Sequence, residues 1–153
     1  MFEFAGYRNG GSDKLTVEER FYAVTGFALY LGQLLKLSAG RLCACTGAGD
    51  LVYAISDASA ASSVVTASYI PRVFPVNKSQ IWKTSCTTAL TAAACVYGTG
   101  LGLSTAIATG VMGDKLSSAT FVFDFTTGGT PVSGGQPASA VYVVFAHTLY
   151  DQI

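Results

Sequence analysis

The residues from Gly32 to Ser59, GQLLKLSAGRLCACTGAGDLVYAISDAS, constrain this chain more than any other stretch, because two glycine-containing turns cut it into pieces too short for helices. Residues 34–37 form a first apolar run, Ser38-Ala39-Gly40 supplies a turn with a residue suited to positive φ, and residues 41–46 form the return strand. Gly47-Ala48-Gly49-Asp50 is a second turn before 51–55, whose Val, Tyr and Ile suit a pleated, half-buried surface. The expected local topology is a meander.

The same reading extends along the chain. Residues 17–24, 64–70, 72–76 and 80–84 read as strands, with Pro71 and Pro75 placing their neighbours at a sheet edge or bend. Residues 120–126, TFVFDFT, alternate Phe with Thr, Val and Asp at period two, and 140–146 supply a last strand. Residues 56–63 and the GGTPVSGGQPAS segment read as loops, and Gly98, Gly100 and Gly102 would leave one strand face bare for close packing or a sheet corner. Turn signals at intervals of roughly 8 to 12 residues predict an all-β fold, a compact single-domain β-barrel or β-sandwich, with one short helix at most. Residues 1–16, with Phe2, Phe4 and Tyr7 ahead of Asn9-Gly10-Gly11-Ser12, read as an extended N-terminal arm that docks on a partner or tucks onto its own domain; 17–153 are the β-domain.

Composition then limits function. At 153 residues the chain suits one domain with its own core. Its charged fraction is 12% and its net charge zero, against about 25% charged residues in an ordinary soluble domain, so little repulsion separates one copy from the next. This points to an assembly subunit. The scattered cations, from Arg8 to Lys115, argue against a nucleic-acid partner. The uncharged segment 90–112 is long enough to cross a bilayer at ~1.5 Å per residue, but Gly98, Gly100, Gly102 and Gly110 among four threonines favour a buried β-segment, so no membrane partner is expected. The opening residues, interrupted by Glu18-Glu19-Arg20, do not read as a secretory leader, which predicts synthesis in a cytoplasm.

No motif for chemistry stands out. Cys43 and Cys45, two apart in a strand, share a face and are badly placed to bond to each other, while Cys86 and Cys95 could close a hairpin or each meet one of the first pair. These four are the candidate disulfide residues, set against buried thiols acting as small hydrophobes. Their spacing lacks the C-x2-C knuckle of a zinc site, so no metal is expected. His147, the sole histidine, has no oriented acid or activated nucleophile near it in sequence, and no G-x-S-x-G occurs. The glycine turns lack the spacing of nucleotide loops, and Asp50, Asp57, Asp114 and Asp124 stand alone. No enzyme activity and no cofactor are expected.

The order VEERFYAVTGFALYLGQLLKLSAGRL, AGDLVYAISDASA, VVTASYIPRVFPV, GTGLGLSTAIATG with TFVFDFTTGG, and VYVVF resembles the small structural cement or head-decoration proteins of tailed bacteriophages. The resemblance spans nearly the full chain and rests on the arrangement of its pieces; the Cys-x-Cys of the return strand and the Ala/Cys-rich segment near Ala92 depart from it. It implies a non-enzymatic virion protein on the outer capsid surface, with the major capsid protein and its own copies as partners, as trimers more readily than dimers. The arm residues Phe2, Phe4, Tyr7 and Arg8 and the region of Arg72, Trp82 and Lys83 are then the candidate interface. A tail, baseplate or fibre-attachment subunit is the near alternative. A glycan-binding β-sandwich using Trp82 or Tyr97 is the distant one, and a thiol enzyme comes last.

Overall fold

The computed structural model describes residues 2–8, 15–46, 50–84, 100–101, 121–123, 141–145 and 148–149. These form nine β-strands and, among the described residues, no helix. The strands are β1 (Glu3–Tyr7), β2 (Leu34–Ser38), β3 (Arg41–Ala44), β4 (Ala54–Ser56), β5 (Val73–Pro75), β6 (Gln80–Thr84), β7 (Gly100–Leu101), β8 (Phe121–Phe123) and β9 (Val141–Phe145). They make two antiparallel sheets, one of order β3-β2-β4-β5 and one of order β1-β6-β9-β8-β7, so the chain is all-β. The described strands do not close into a barrel; they form two separate sheets, an arrangement compatible with a sandwich.

The β2–β3 hairpin forms as the sequence predicts. Ser38 pairs with Arg41 across a two-residue loop whose central residues Ala39 and Gly40 have φ of 48° and 76°. Positive φ at both positions matches the right-handed twist of the flanking strands, and Gly40 takes it without strain.

Beyond this hairpin the expected meander does not form. β4 pairs with β2 rather than with β3, so β2 is central and the chain between β3 and β4 crosses from one side of it to the other. Three bonds fasten this crossing: Cys45 N donates to Leu34 O at 3.0 Å, Tyr53 N donates to Leu35 O at 2.8 Å, and Lys36 Nζ meets Asp50 Oδ1 at 2.7 Å. Centrality explains why Leu34 and Leu35, on opposite faces of β2, are both buried.

The two faces of this sheet meet different neighbours. Leu35, Ala54, Val73 and Leu42 face a core completed by Ala23, Leu29, Tyr53 and Val65. Leu34 and Ile55, paired across β2 and β4, are on the other face, with Phe74 opposite Ile55, toward Phe2, Phe4 and Trp82 of the five-stranded sheet. The two sheets are also joined by a parallel bridge between Val52 and Thr148 and by a hydrogen bond of 3.3 Å from Gln80 Nε2 to Pro75 O.

Residues 17–24 and 64–70 form no ladder, which corrects two expected strands. Instead 17–31 run antiparallel to 58–73 as an irregular ribbon held at four levels: Glu18 with Val73, Ala23 N to Tyr69 O, Gly26 N to Val65 O, and Leu29 with Ala60. Gly26, with φ of 82°, and the turns at 62–64 and 67–68 break the ladder between those levels. The ribbon also covers both edges of the four-stranded sheet. Glu18 pairs with Val73 of β5, while Tyr22 and Val24 bond Leu42 of β3. Edges left bare would be templates for aggregation.

Of the two readings of the N-terminal arm, residues 3–7 take the second and tuck onto their own domain. Residues 3–7 are the strand β1, paired with β6 through Glu3 with Lys83, Phe4 with Trp82, Gly6 with Ile81 and Tyr7 with Gln80, with a bulge between Phe4 and Gly6. β8 and β9 fall within the runs predicted for them, and β7 uses part of the glycine run.

Candidate interaction surface

The predicted interface residues separate into two groups. Phe2 and Trp82 are buried, at 3% and 1% exposure, and so are corrected from interface to core. Phe2 lies against Phe145 with ring centroids 5.9 Å apart, and Trp82 meets Phe4 edge-on at 5.5 Å and Phe145 at 6.3 Å. The cause is the strand pairing: Phe4 opposite Trp82, and Trp82 opposite Val143, stack three apolar side chains on one inner face. Phe4 and Tyr7 are half-buried against each other at 5.1 Å, and Lys83 is half-buried between Glu3 and Tyr142 in register.

Arg8 and Arg72 are exposed. Arg8 N donates to Ser79 O at 2.8 Å, fixing the end of β1. The Arg72 guanidinium spans Asp57 at 3.1 Å and Glu19 at 3.6 Å, and Arg20 meets Glu18 at 3.7 Å. Pairs as exposed as these contribute little stability, but they compensate the charge on the ribbon locally.

The surface that sequence reasoning misses is the outer side of that ribbon. Eight large apolar side chains are exposed among the described residues, and all but Leu51 belong to it. Val17, Tyr22, Val24, Tyr30 and Leu31 come from one strand of the ribbon, and Val64 and Ile70 from the other. Val64 is 54% exposed, Leu31 48% and Tyr22 47%. Tyr22 and Val24 flank the buried Ala23, Tyr30 follows the buried Leu29 and Val64 precedes the buried Val65, so local alternation turns these four outward. Arg41 clamps the ribbon to β3: its Nη1 donates to Ala23 O at 3.0 Å and to Ala67 O at 2.9 Å, and its guanidinium lies 5.6 Å from the Tyr22 ring centroid. Exposed apolar side chains on a hydrogen-bonded backbone, with the nearby charges of Glu18, Glu19, Asp57, Arg20 and Arg72 paired among themselves, suit docking to another protein. The signal is present in Val17, Tyr22, Val24, Val64 and Ile70, but a strand pattern cannot say which of its faces stays outside.

The cysteines sit apart from this surface. Cys43 is half-buried opposite Lys36, Cys45 is buried, and both are free thiols; the expected disulfide partners Cys86 and Cys95 lie outside the described residues, as does His147. Burial raises the Cys43 thiol above its usual range and raises Cys45 much further, with Asp50 adding to the second. Neither is prepared for nucleophilic work. Lys36 titrates above its ordinary value, first because of its hydrogen bond to Asp50, which outweighs its partial desolvation. Asp50 Oδ2 also accepts from Thr46 N at 2.6 Å, so the carboxylate ties down the β3–β4 crossing. Among the described residues no group of three metal-ligating side chains occurs, and no helix is long and apolar enough to cross a membrane; the segment 90–112 lies outside them but for Gly100 and Leu101 of β7.

Comparison with protein-family models, with curated proteins and with solved structures finds no match to this chain.

Proposed function

We propose that this chain is a non-enzymatic structural subunit: a capsid cement protein that binds the outer surface of a phage head, with the major capsid protein and its own copies, as trimers, for partners. The observation that carries the reading is the apolar outer side of the 17–31/58–73 ribbon, held rigid by Arg41 and by hydrogen bonds at four levels. Such a surface needs no motion to bind and loses little water structure that charged groups would defend. In a chain with 12% charged residues, it favours contact over dispersal. Many modest interfaces of this kind, repeated by symmetry, stabilise a shell without any one being tight. The similarity in order of sequence pieces to head-decoration proteins supplies the kind of shell.

The test is the copy number per purified virus particle, measured by quantitative mass spectrometry against the major shell protein. A ratio near one, or a simple fraction of it, is the expected result. A few copies per particle would assign the chain to the tail or neck instead, and absence from particles would end the reading.

A further inference from the structure

Tyr7 and Gln80 stand opposite each other in the β1–β6 register, so their side chains share a face of the five-stranded sheet. Gln80 fixes which face this is. Its buried amide reaches toward β5, with Nε2 donating to Pro75 O at 3.3 Å and Oε1 accepting from Asn77 N at 3.0 Å. A pocket of about 240 Å³ lies here, lined by these four residues together with Thr16 and Val76. Its surface is mostly polar, yet no lining residue is charged. The turn at its edge is well fastened: Asn77 Oδ1 accepts from both Ser79 N and Ser79 Oγ, and Ser79 O accepts from Arg8 N at 2.8 Å. Much of the hydrogen-bonding capacity is nevertheless unused among the described residues. Asn77 engages only its side-chain oxygen, leaving both hydrogens of Nδ2, and Gln80 Nε2 engages one hydrogen of two. The hydroxyls of the half-buried Tyr7 and the exposed Thr16 add two further groups that can donate or accept. Water serves such groups in the free protein, and a ligand displaces it by matching those bonds.

We propose that this pocket binds one neutral pyranose ring of a carbohydrate. Amide N–H groups and hydroxyls, all uncharged, match the ring's hydroxyls, while Pro75 and the Tyr7 ring offer apolar surface to its C–H groups. An apolar molecule would strip water from these groups without replacing its bonds, and a carboxylate or phosphate would find no cation in the lining. The volume is below the ~300–1,000 Å³ of drug-sized sites, which suits a single ring rather than a longer chain. The inference is independent of the capsid reading, since it uses neither the outer side of the ribbon nor any partner chain.

The probes are the methyl pyranosides of glucose, mannose and galactose, titrated into the full-length protein and followed by amide NMR. Saturable shifts of the Asn77 and Gln80 side-chain amide signals are expected with at least one of the three, at a Kd of about 1 mM. Asn77→Asp keeps the oxygen that accepts from Ser79 and replaces only the donor NH2, so the turn persists. It is expected to weaken binding by about tenfold, the equivalent of one hydrogen bond. Thr16→Val, at an exposed position that leaves folding intact, is expected to weaken it severalfold, and Tyr30→Ser on the ribbon to leave it unchanged. No saturable shift with any of the three sugars would overturn the proposal. So would saturable binding indifferent to both Asn77→Asp and Thr16→Val, or tighter binding of inorganic phosphate than of any of the sugars.

Discussion

The N-terminal segment and the ribbon of 17–31 with 58–73 are alike in sequence, apolar and aromatic with few charges, yet the fold treats them in opposite ways. β1 finds a complete partner in β6, and the register that pairs Phe4 with Trp82 also carries Phe2 into the interior. The ribbon pairs at only four levels, but those levels fix which side faces the core. The side left over holds Tyr22, Val24, Val64 and Ile70 in solvent. Aromatic content alone therefore does not mark a contact surface. What marks it is apolar surface remaining after each backbone has chosen its face.

The largest expected effect strikes the N-terminal side of this contrast. Phe2→Ala removes a buried ring packed on Phe145 and is expected to cost about 3–5 kcal/mol, read as a lower midpoint in urea unfolding with an unchanged slope. A loss below about 1 kcal/mol would mean that β1 is held loosely and acts as a free arm after all.

A smaller effect concerns the sheet on which both regions rest. Lys36 has its folded pKa raised above the ordinary 10.5, and Cys43 and Cys45 have theirs raised above 9.0. For each, the protonated form is the one the fold favours, so the associated stability is fully present below the ordinary value and is lost as pH rises through the folded one. Unfolding free energy should thus hold steady from about pH 7 to 8.5 and fall progressively from about pH 9 upward, with Cys45→Ala, after allowance for its own cavity, reducing the slope. Stability that rises over that interval would contradict the assigned environments. The same burial predicts that iodoacetamide labels Cys43 slowly and Cys45 only on unfolding, checked by peptide mass spectrometry.

The smallest effect on stability, and the most informative about contact, is expected at the ribbon. Tyr22→Ser with Ile70→Ser alters exposed side chains and should move the unfolding free energy by no more than about 0.5 kcal/mol each, while weakening association in sedimentation velocity and retention on particles. A large destabilisation would show that these side chains are packed rather than presented.

Much of the fold is legible from local chemistry. The β2–β3 hairpin is marked by Ala39-Gly40 between apolar runs, β8 by its alternating Phe residues, and the edge position of β5 by Pro75. The pairing of β4 with β2 is not, because it depends on the crossing held by Asp50 to Lys36 and Thr46, a contact between residues 14 apart and another 4 apart that no period encodes. Nor can pattern reveal that Ile81 and Trp82 are both buried, since that follows from β6 lying between β1 and β9. The candidate interface suffers most from this gap. Trp82 stands out in the sequence as a prominent aromatic, whereas its neighbours in space, Phe4 and Phe145, come from distant parts of the chain.

The central claim is that the ribbon, and not the N-terminal strand, meets the partner. Amide hydrogen exchange compared between the dispersed protein and the same protein on purified heads tests it most directly. Added protection across 17–31 and 58–73, with 2–8 and 80–84 unchanged, is the predicted result; protection gained at 2–8 and 80–84 with the ribbon unaltered would contradict it.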